Sequence, residues 1–236
     1  AAGHEIACHS HRHPIVHQLP PAEFLADLDR ALAALAAAGV SSCAGYRAPS
    51  FTITPAVHGY LELLRERGFR YDCSLFPVRH PRYGQPGSPR RPFLLEPERA
   101  AAGAAPPAPL VVVPMTTARL LGANVPYSGG GYLRLLPLAA YRALRRVARR
   151  QGVPTIVYLH PWELDEYRPD VALSRFTRWR SQTGQLAMPT KLAALLADGD
   201  WQTMGQYVQQ RLAAGDLPRR ALPLHAGGRR SGGAPW

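Results

Sequence analysis

From Pro20 to Gly39 the apolar residues Phe24, Leu28, Leu32 and Leu35 recur at the three-and-four spacing of one helix face, and Gly39 supplies a stop. A first helix is expected there. A second is expected from Thr54-Pro55, an N-cap followed by proline at the first helical position, through Leu61 and Leu64 to Gly68. A third runs from Leu138 to Arg150 and closes at Gly152, and a fourth spans Gln185 to Leu196. Short apolar runs lie between them, and Phe69 to Ser74, Val111 to Met115 and Thr155 to His160 read as strands. Strands alternating with helices of this length predict βα units around a mainly parallel sheet, an α/β fold.

Two stretches carry no such period. Residues 79–109 are rich in Pro, Gly, Ala and Arg and are expected to run over the surface. The chain end has too little apolar surface to fold, which predicts a folded domain over residues 1–207 and a disordered tail over 208–236. A chain of 236 residues suits one large domain, and α/β barrels of this size form single domains. No apolar run approaches the roughly 20 residues of a membrane span, so no transmembrane segment is expected.

Charge changes this picture little. The net charge of +12 and the basic helix face of Arg142, Arg145, Arg146, Arg149 and Arg150 raise the question of nucleic acid. The arginines are spread along the whole chain, however, and no zinc-finger spacing or RNP-type motif accompanies them, so a solvated surface and no nucleic-acid partner are expected. Cys8, Cys43 and Cys73 are odd in number and form no CxxC pair, which favours buried thiols over a disulfide framework. The chain starts at Ala1 with no basic-and-apolar leader pattern; an incomplete N-terminus is expected, with the cytoplasm as the default compartment.

The densest chemistry is GHEIACHSHRHPIVH, with five histidines between Gly3 and His17. Imidazole is the commonest metal ligand among side chains. On a strand His9, His11 and His13 would share a face; on a helix His9, His13 and His17 would; His9 and His13 belong to both sets. Pro14 disfavours helix at His13, so a strand from His4 to Cys8 is expected to end in a loop carrying these two. Surface histidines without a metal are the alternative.

HSHRH, from His9 to His13, resembles the second motif, H-[ST]-x-x-H, of the NodB-type polysaccharide deacetylases. In the family's order follow Arg47-Ala48-Pro49, similar to its R-x-P motif, Asp72-Cys73-Ser74, similar to D-x-[DS], and Leu159-His160, similar to a shortened L-x-H. GYRAPSF, YDCSLFP, GGGYLRLLP and YLHPWE further resemble the exosortase-associated branch.

The resemblance implies a distorted (β/α) barrel and a metal-dependent hydrolase that removes N-acetyl groups from a polysaccharide or oligosaccharide in exopolysaccharide synthesis. His9 and His13 would hold a divalent metal, usually zinc. Asp72 would orient His160, the general acid toward the leaving amine, and Arg47 would pair with that carboxylate. The backbone N–H of Ser50 would be the oxyanion donor, and Leu159 would line the acetyl pocket or else belong to the core. Gly129 to Gly131 would admit a sugar or form a flexible turn.

Two departures stand out. The family's paired aspartates, which supply a base and a third metal ligand, have no counterpart in this sequence. A barrel without its first strand and a fragment of little or no activity are therefore expected, with a non-catalytic carbohydrate-binding relic as the alternative. Leu75 stands where a tryptophan often follows the fourth motif, which alters the expected groove.

Overall fold

The computed structural model describes residues 3–80, 83–96, 108–165, 174, 175, 179 and 182–222. The chain divides into two compact units, Ala1–Pro114 with Thr203–Trp236, and Met115–Gln202.

The first unit is built on a mixed sheet. Strands β1 (Gly45–Tyr46), β2 (Tyr71–Asp72), β3 (Phe93–Leu95) and β4 (Val111–Val112) join β7 (Arg219–Arg220) in the order β1-β2-β4-β3-β7. The β1–β2, β2–β4 and β3–β7 pairs are parallel, and β3–β4 is antiparallel. Helix α1 (Pro21–Ala37) starts with proline at its first position, where no N–H is needed, and buries Phe24, Leu28 and Ala31. Helix α2 (Tyr60–Glu66) buries Tyr60, Leu61 and Leu64. With Tyr46, Phe69, Phe93 and Val112 these residues make one core.

Three expectations are corrected in this unit. The second helix begins at Tyr60, because the Thr54-Pro55 signal nucleates only a 3-10 turn, Pro55–Val57, before Gly59. The stretch 79–109 does not simply skirt the surface: Phe93 and Leu95 are buried in the sheet, and buried Gln85 joins its side chain to His58 Nε2 at 2.7 Å and to the Ile53 carbonyl. Within the expected tail, helix α6 (Met204–Ala214) forms because Thr203 and Gln206 make a capping box and Gly215 closes the helix in the left-handed region. Val208 on that helix and Leu222 beyond it are buried. Residues 223–236 of the tail lie outside the described residues.

The start of the chain is tied into the same unit. Glu5 accepts a hydrogen bond from Tyr71 Oη and another from the N–H of Gly205, both at 2.8 Å. The expected strand from His4 to Cys8 reduces to one parallel bridge, Cys8 to Tyr46. The three cysteines are free thiols; Cys8 and Cys73 are buried, as expected, while Cys43 is half-buried.

The second unit holds a hairpin, β5 (Thr117–Leu120) and β6 (Ala123–Pro126), with helices α3 (Gly130–Leu135), α4 (Leu138–Arg150) and α5 (Met188–Leu196). Tyr127, Leu133, Tyr141, Met188 and Leu195 are in its core. The expected strand Thr155 to His160 has no ladder beyond a bridge from Tyr158 to Gly129. Its backbone is satisfied by a side chain instead: Thr116 Oγ1 donates to the Pro154 carbonyl and accepts from Ile156 N–H, each at 2.8 Å. The basic face of α4 is partly pinned, since Arg142 forks onto Asp198 at 2.7 Å and the Arg145 guanidinium lies over Trp201.

Candidate active site

The histidine motif is a loop held by a buried carboxylate. Cys8 N–H donates to the Gly45 carbonyl at 2.8 Å and Arg47 N–H to the Cys8 carbonyl at 3.1 Å, so the segment rides along β1 before turning at Ser10, whose φ is +65°. Ser10 Oγ lies 2.9 Å from the hydroxyl of buried Tyr46. Asp27, on the buried face of α1, accepts His11 N–H at 2.8 Å, and Arg12 N–H and Nε–H at 3.2 Å each. Burial pushes this carboxyl up, but the hydrogen bonds from His11 and Arg12 and the Arg12 charge outweigh it, and Asp27 stays below the usual carboxylate value.

Asp27 is absent from the residues expected from sequence. Its signal was a carboxylate inside the apolar stripe Phe24, Leu28, Ala31, where a charge is costly without partners.

The loop brings His9 and His13 together, with rings edge to face and centroids 5.1 Å apart. Both side chains are exposed, and His13 itself has φ of +55°, compatible with the expected loop and not with helix. His9 Nδ1 lies 2.7 Å from the Arg47 carbonyl oxygen. An oxygen of this kind only accepts, so the hydrogen is on Nδ1, and the neutral ring has its lone pair on Nε2, the tautomer that ligates a metal through Nε2. His4 and His11 are exposed, and His17 is half-buried, its pKa lowered by burial. The donor set fits a metal only in part: among the described residues no group of three His, Cys, Asp or Glu could hold one.

Asp72 ends β2 and is fully buried. Its oxygens accept Ser74 N–H at 2.9 Å and the Ser74 hydroxyl. Burial dominates over these bonds and over the Arg47 charge, and the carboxyl is pushed up to about 7. Arg47 donates Nε–H to the Cys73 carbonyl at 3.3 Å and an Nη–H to Cys73 Sγ at 3.2 Å, the residue next to Asp72. Ser74 also fixes the third motif: its Oγ accepts Ala48 N–H at 2.8 Å. The turn after Pro49 then runs through Ser50 and Phe51, both at positive φ, with Ser50 exposed.

His9, His13, Arg47, Ser50 and Asp72 thus belong to the first unit, while Leu159 and His160 belong to the second. Leu159 is half-buried against the core of its unit. His160 is exposed, its ring stacked on Trp162 with centroids 5.8 Å apart. Its N–H donates to Oε2 of Glu163 at 2.9 Å. Glu163 and Arg134 are both buried, with Oε1 and Nε 3.4 Å apart. The glycine run has a reason inside the protein: a Cβ on Gly129 would meet the Tyr158 hydroxyl at 2.6 Å, and one on Gly130 the Glu163 carboxylate.

Comparisons with known proteins bear on the family and the fold. Residues 1–71 match the family model described as polysaccharide deacetylase, and residues 73–209 match the one described as a domain of unknown function, DUF3473. No curated protein matches the chain. Among solved structures, a candidate polysaccharide deacetylase from Mycobacterium smegmatis is similar at 22% identity and a TM-score of 0.57, over 97% of this chain and 68% of that one. The Puue allantoinase follows at 16% and 0.52, over 91% of this chain and 61% of that one. A candidate polysaccharide deacetylase from Pseudomonas aeruginosa PAO1 is similar at 15% and 0.50, over 94% and 62% respectively. These likenesses establish the α/β fold of the NodB-type deacetylases, a distorted (β/α) barrel. By the match over residues 73–209, more than half of its length, the chain belongs to the family of the DUF3473 domain, and its residues 1–71 match the polysaccharide deacetylase model.

Proposed function

We propose that the chain carries part of the machinery of a metal-dependent deacetylase that hydrolyses N-acetyl groups of a polysaccharide, in exopolysaccharide synthesis or modification. The observation that carries this reading is the His9–Arg47 hydrogen bond, which sets the ligand tautomer of one motif with the backbone of the next. His9, through Nε2, and His13 would hold a divalent cation, zinc by preference for imidazole, which when bound supplies polarisation of the acetyl carbonyl and of water.

The protein's own groups divide the remaining work. The Ser50 N–H, presented by an exposed left-handed turn, would donate to the oxyanion. Asp72, with Arg47 beside it, supplies the buried carboxyl of the site. His160 would give a proton to the leaving amine, and the half-buried side chain of Leu159 would line the acetyl pocket. With two imidazoles, no paired aspartates in the sequence and no third ligand among the described residues, residues 1–236 by themselves would lack the family's general base, worth about 10²–10⁴-fold, and would bind metal weakly.

The incomplete donor set favours a second reading, a carbohydrate-binding relic of the fold. Acetate release from a chitooligosaccharide by residues 1–236, with and without added zinc, separates the two. Slow turnover that requires zinc and disappears in His13→Ala supports the enzyme reading. Glycan binding indifferent to chelator and to that substitution supports the relic, and rapid turnover contradicts the weak half-site.

A further inference from the structure

Tyr158, His160 and Trp162 alternate along the chain, and alternate positions of an extended segment share one face. The segment is held extended. Tyr158 bridges in parallel to Gly129, and Pro161 disfavours helix at His160, whose φ and ψ are −97° and 147°. The three rings accordingly form a row. Tyr158 and His160 meet edge to face with centroids 6.3 Å apart, and the His160 and Trp162 rings lie nearly parallel, 23° and 5.8 Å apart.

The row reaches the surface. Tyr158 is half-buried, His160 is exposed and Trp162 is 47% exposed. Leaving so much indole in water forgoes the hydrophobic gain of burying it. The ring is nevertheless held in place. The Trp162 carbonyl accepts Gln185 Nε2–H at 2.8 Å, and Gln185, itself buried, also donates to the Asp165 carbonyl at 2.7 Å, so the turn is stapled to one side chain at two points. The guanidinium carbon of Arg134 lies 5.7 Å from the ring centroid, and Arg134 is fixed in turn by a bond from Nη1 to the Thr183 carbonyl at 3.2 Å. An aromatic surface that is both exposed and fixed is preorganised, and a ligand covering it spends little on ordering the protein.

We infer that Tyr158, His160 and Trp162 form an aromatic track for a sugar chain, with Trp162 the platform on which one pyranose ring of an N-acetylated glycan stacks beside His160. The inference rests on the reading of the ligand as a polysaccharide and names the side chains that would carry it past His160. Chemistry favours a sugar on this surface. A pyranose ring bears hydroxyls at its rim and C–H groups on its faces, and the face of an indole is the negative side of its quadrupole, which attracts those C–H groups. A row of rings spaced by 5.8 and 6.3 Å suits a chain of repeating rings better than one compact molecule. The match of residues 1–71 to the polysaccharide deacetylase model points to the same class of ligand.

The test is a titration of nitrogen-labelled residues 1–236 with chitotetraose, followed by NMR at the indole N–H signals of the four tryptophans. Loss of one signal in Trp162→Phe identifies it. Trp201 is the internal control, because its ring lies under Arg145 and its Nε1–H donates to the Leu196 carbonyl at 3.1 Å. The expected result is a Trp162 signal that moves saturably while that of Trp201 stays. Trp162→Phe is expected to keep most of the affinity, and Trp162→Ala to weaken it by about two- to tenfold, the worth of one aromatic stacking contact. A Trp162 signal unmoved at millimolar chitotetraose overturns the inference whether or not the alanine variant folds, and so does a folded Trp162→Ala protein that binds as tightly as wild type. A signal that follows protein concentration instead of glycan assigns the surface to a second copy of the chain and overturns it equally. Zinc-dependent acetate release with an unmoved Trp162 signal refutes the inference alone. A moved signal without acetate release upholds it and counts against the enzyme reading, so the two failures are distinguishable.

Discussion

The Asp27 carboxylate accepts the backbone N–H of His11 at 2.8 Å, so a helix buried in the core dictates the path of the loop that carries His9 and His13. Asparagine at this position keeps the shape but places an NH2 group against one of the three donors of His11 and Arg12. Asp27→Asn is expected to lose about 1–3 kcal/mol of stability, the cost of a buried donor left unpaired. Thermal unfolding measures that loss. Zinc titration is expected to show weaker binding, because the loop is no longer held.

Asp27 also predicts acid sensitivity. Its pKa is lowered in the fold, so its contribution is present above the unfolded value and is lost as the pH falls through the folded one, below the ordinary carboxylate range. In Asp27→Asn this part of the acid unfolding slope is expected to vanish. An unchanged acid midpoint contradicts the assignment.

Asp72 works with the opposite sign. Its carboxyl is raised from 3.8 to about 7, so in that window the folded state holds a proton that the unfolded state has released, and stability falls as the pH rises. Asp72→Asn removes this dependence. Denaturant titrations at pH 5 and pH 8 are expected to show the variant gaining on wild type at the higher value; an equal difference at both would place Asp72 outside the buried, proton-holding role.

Gly130→Ala introduces a methyl group where the Glu163 carboxylate lies. Overpacking of this kind costs typically about 1–3 kcal/mol. A lower unfolding midpoint is expected, with Gly131→Ala as the contrast, because the nearest atom to a Cβ there is an Arg134 nitrogen at 3.9 Å. Equal midpoints would remove the close-approach explanation of the glycine run.

Ser50 occupies the left-handed region with φ of +50°. A side chain there costs about 1–2 kcal/mol, partly offset by the greater unfolded-state freedom of glycine. Ser50→Gly is expected to match or slightly exceed wild-type stability and to keep any zinc-dependent turnover, since the backbone N–H remains. Ser50→Val is expected to lose both.

How much of this was written in the sequence depends on the kind of signal each element uses. Helix α4 has the bounds its apolar spacing predicts, Leu138 to Arg150, and α1 differs only at its ends. The strands were located but overestimated, because pairing reduces most of them to two residues and Thr116 replaces part of one ladder. The β5–β6 hairpin was not seen: its turn residues, Leu121 and Gly122, adopt positive φ, but leucine stands where Asn or Asp would have announced the turn. Helix α6 was missed although Thr203 and Gln206 spell a capping box. At the site, the quoted motifs contain Ser74, Arg134 and Glu163 without showing what these side chains hold, while Asp27 looks like an ordinary surface charge until burial shows otherwise.

Isothermal titration of zinc into metal-free residues 1–236, compared with His9→Ala and His13→Ala, bears most directly on the metal-dependent reading. One weak site per chain, abolished by either substitution, is the predicted result. No zinc uptake by the wild type, or uptake that both variants retain, would contradict it.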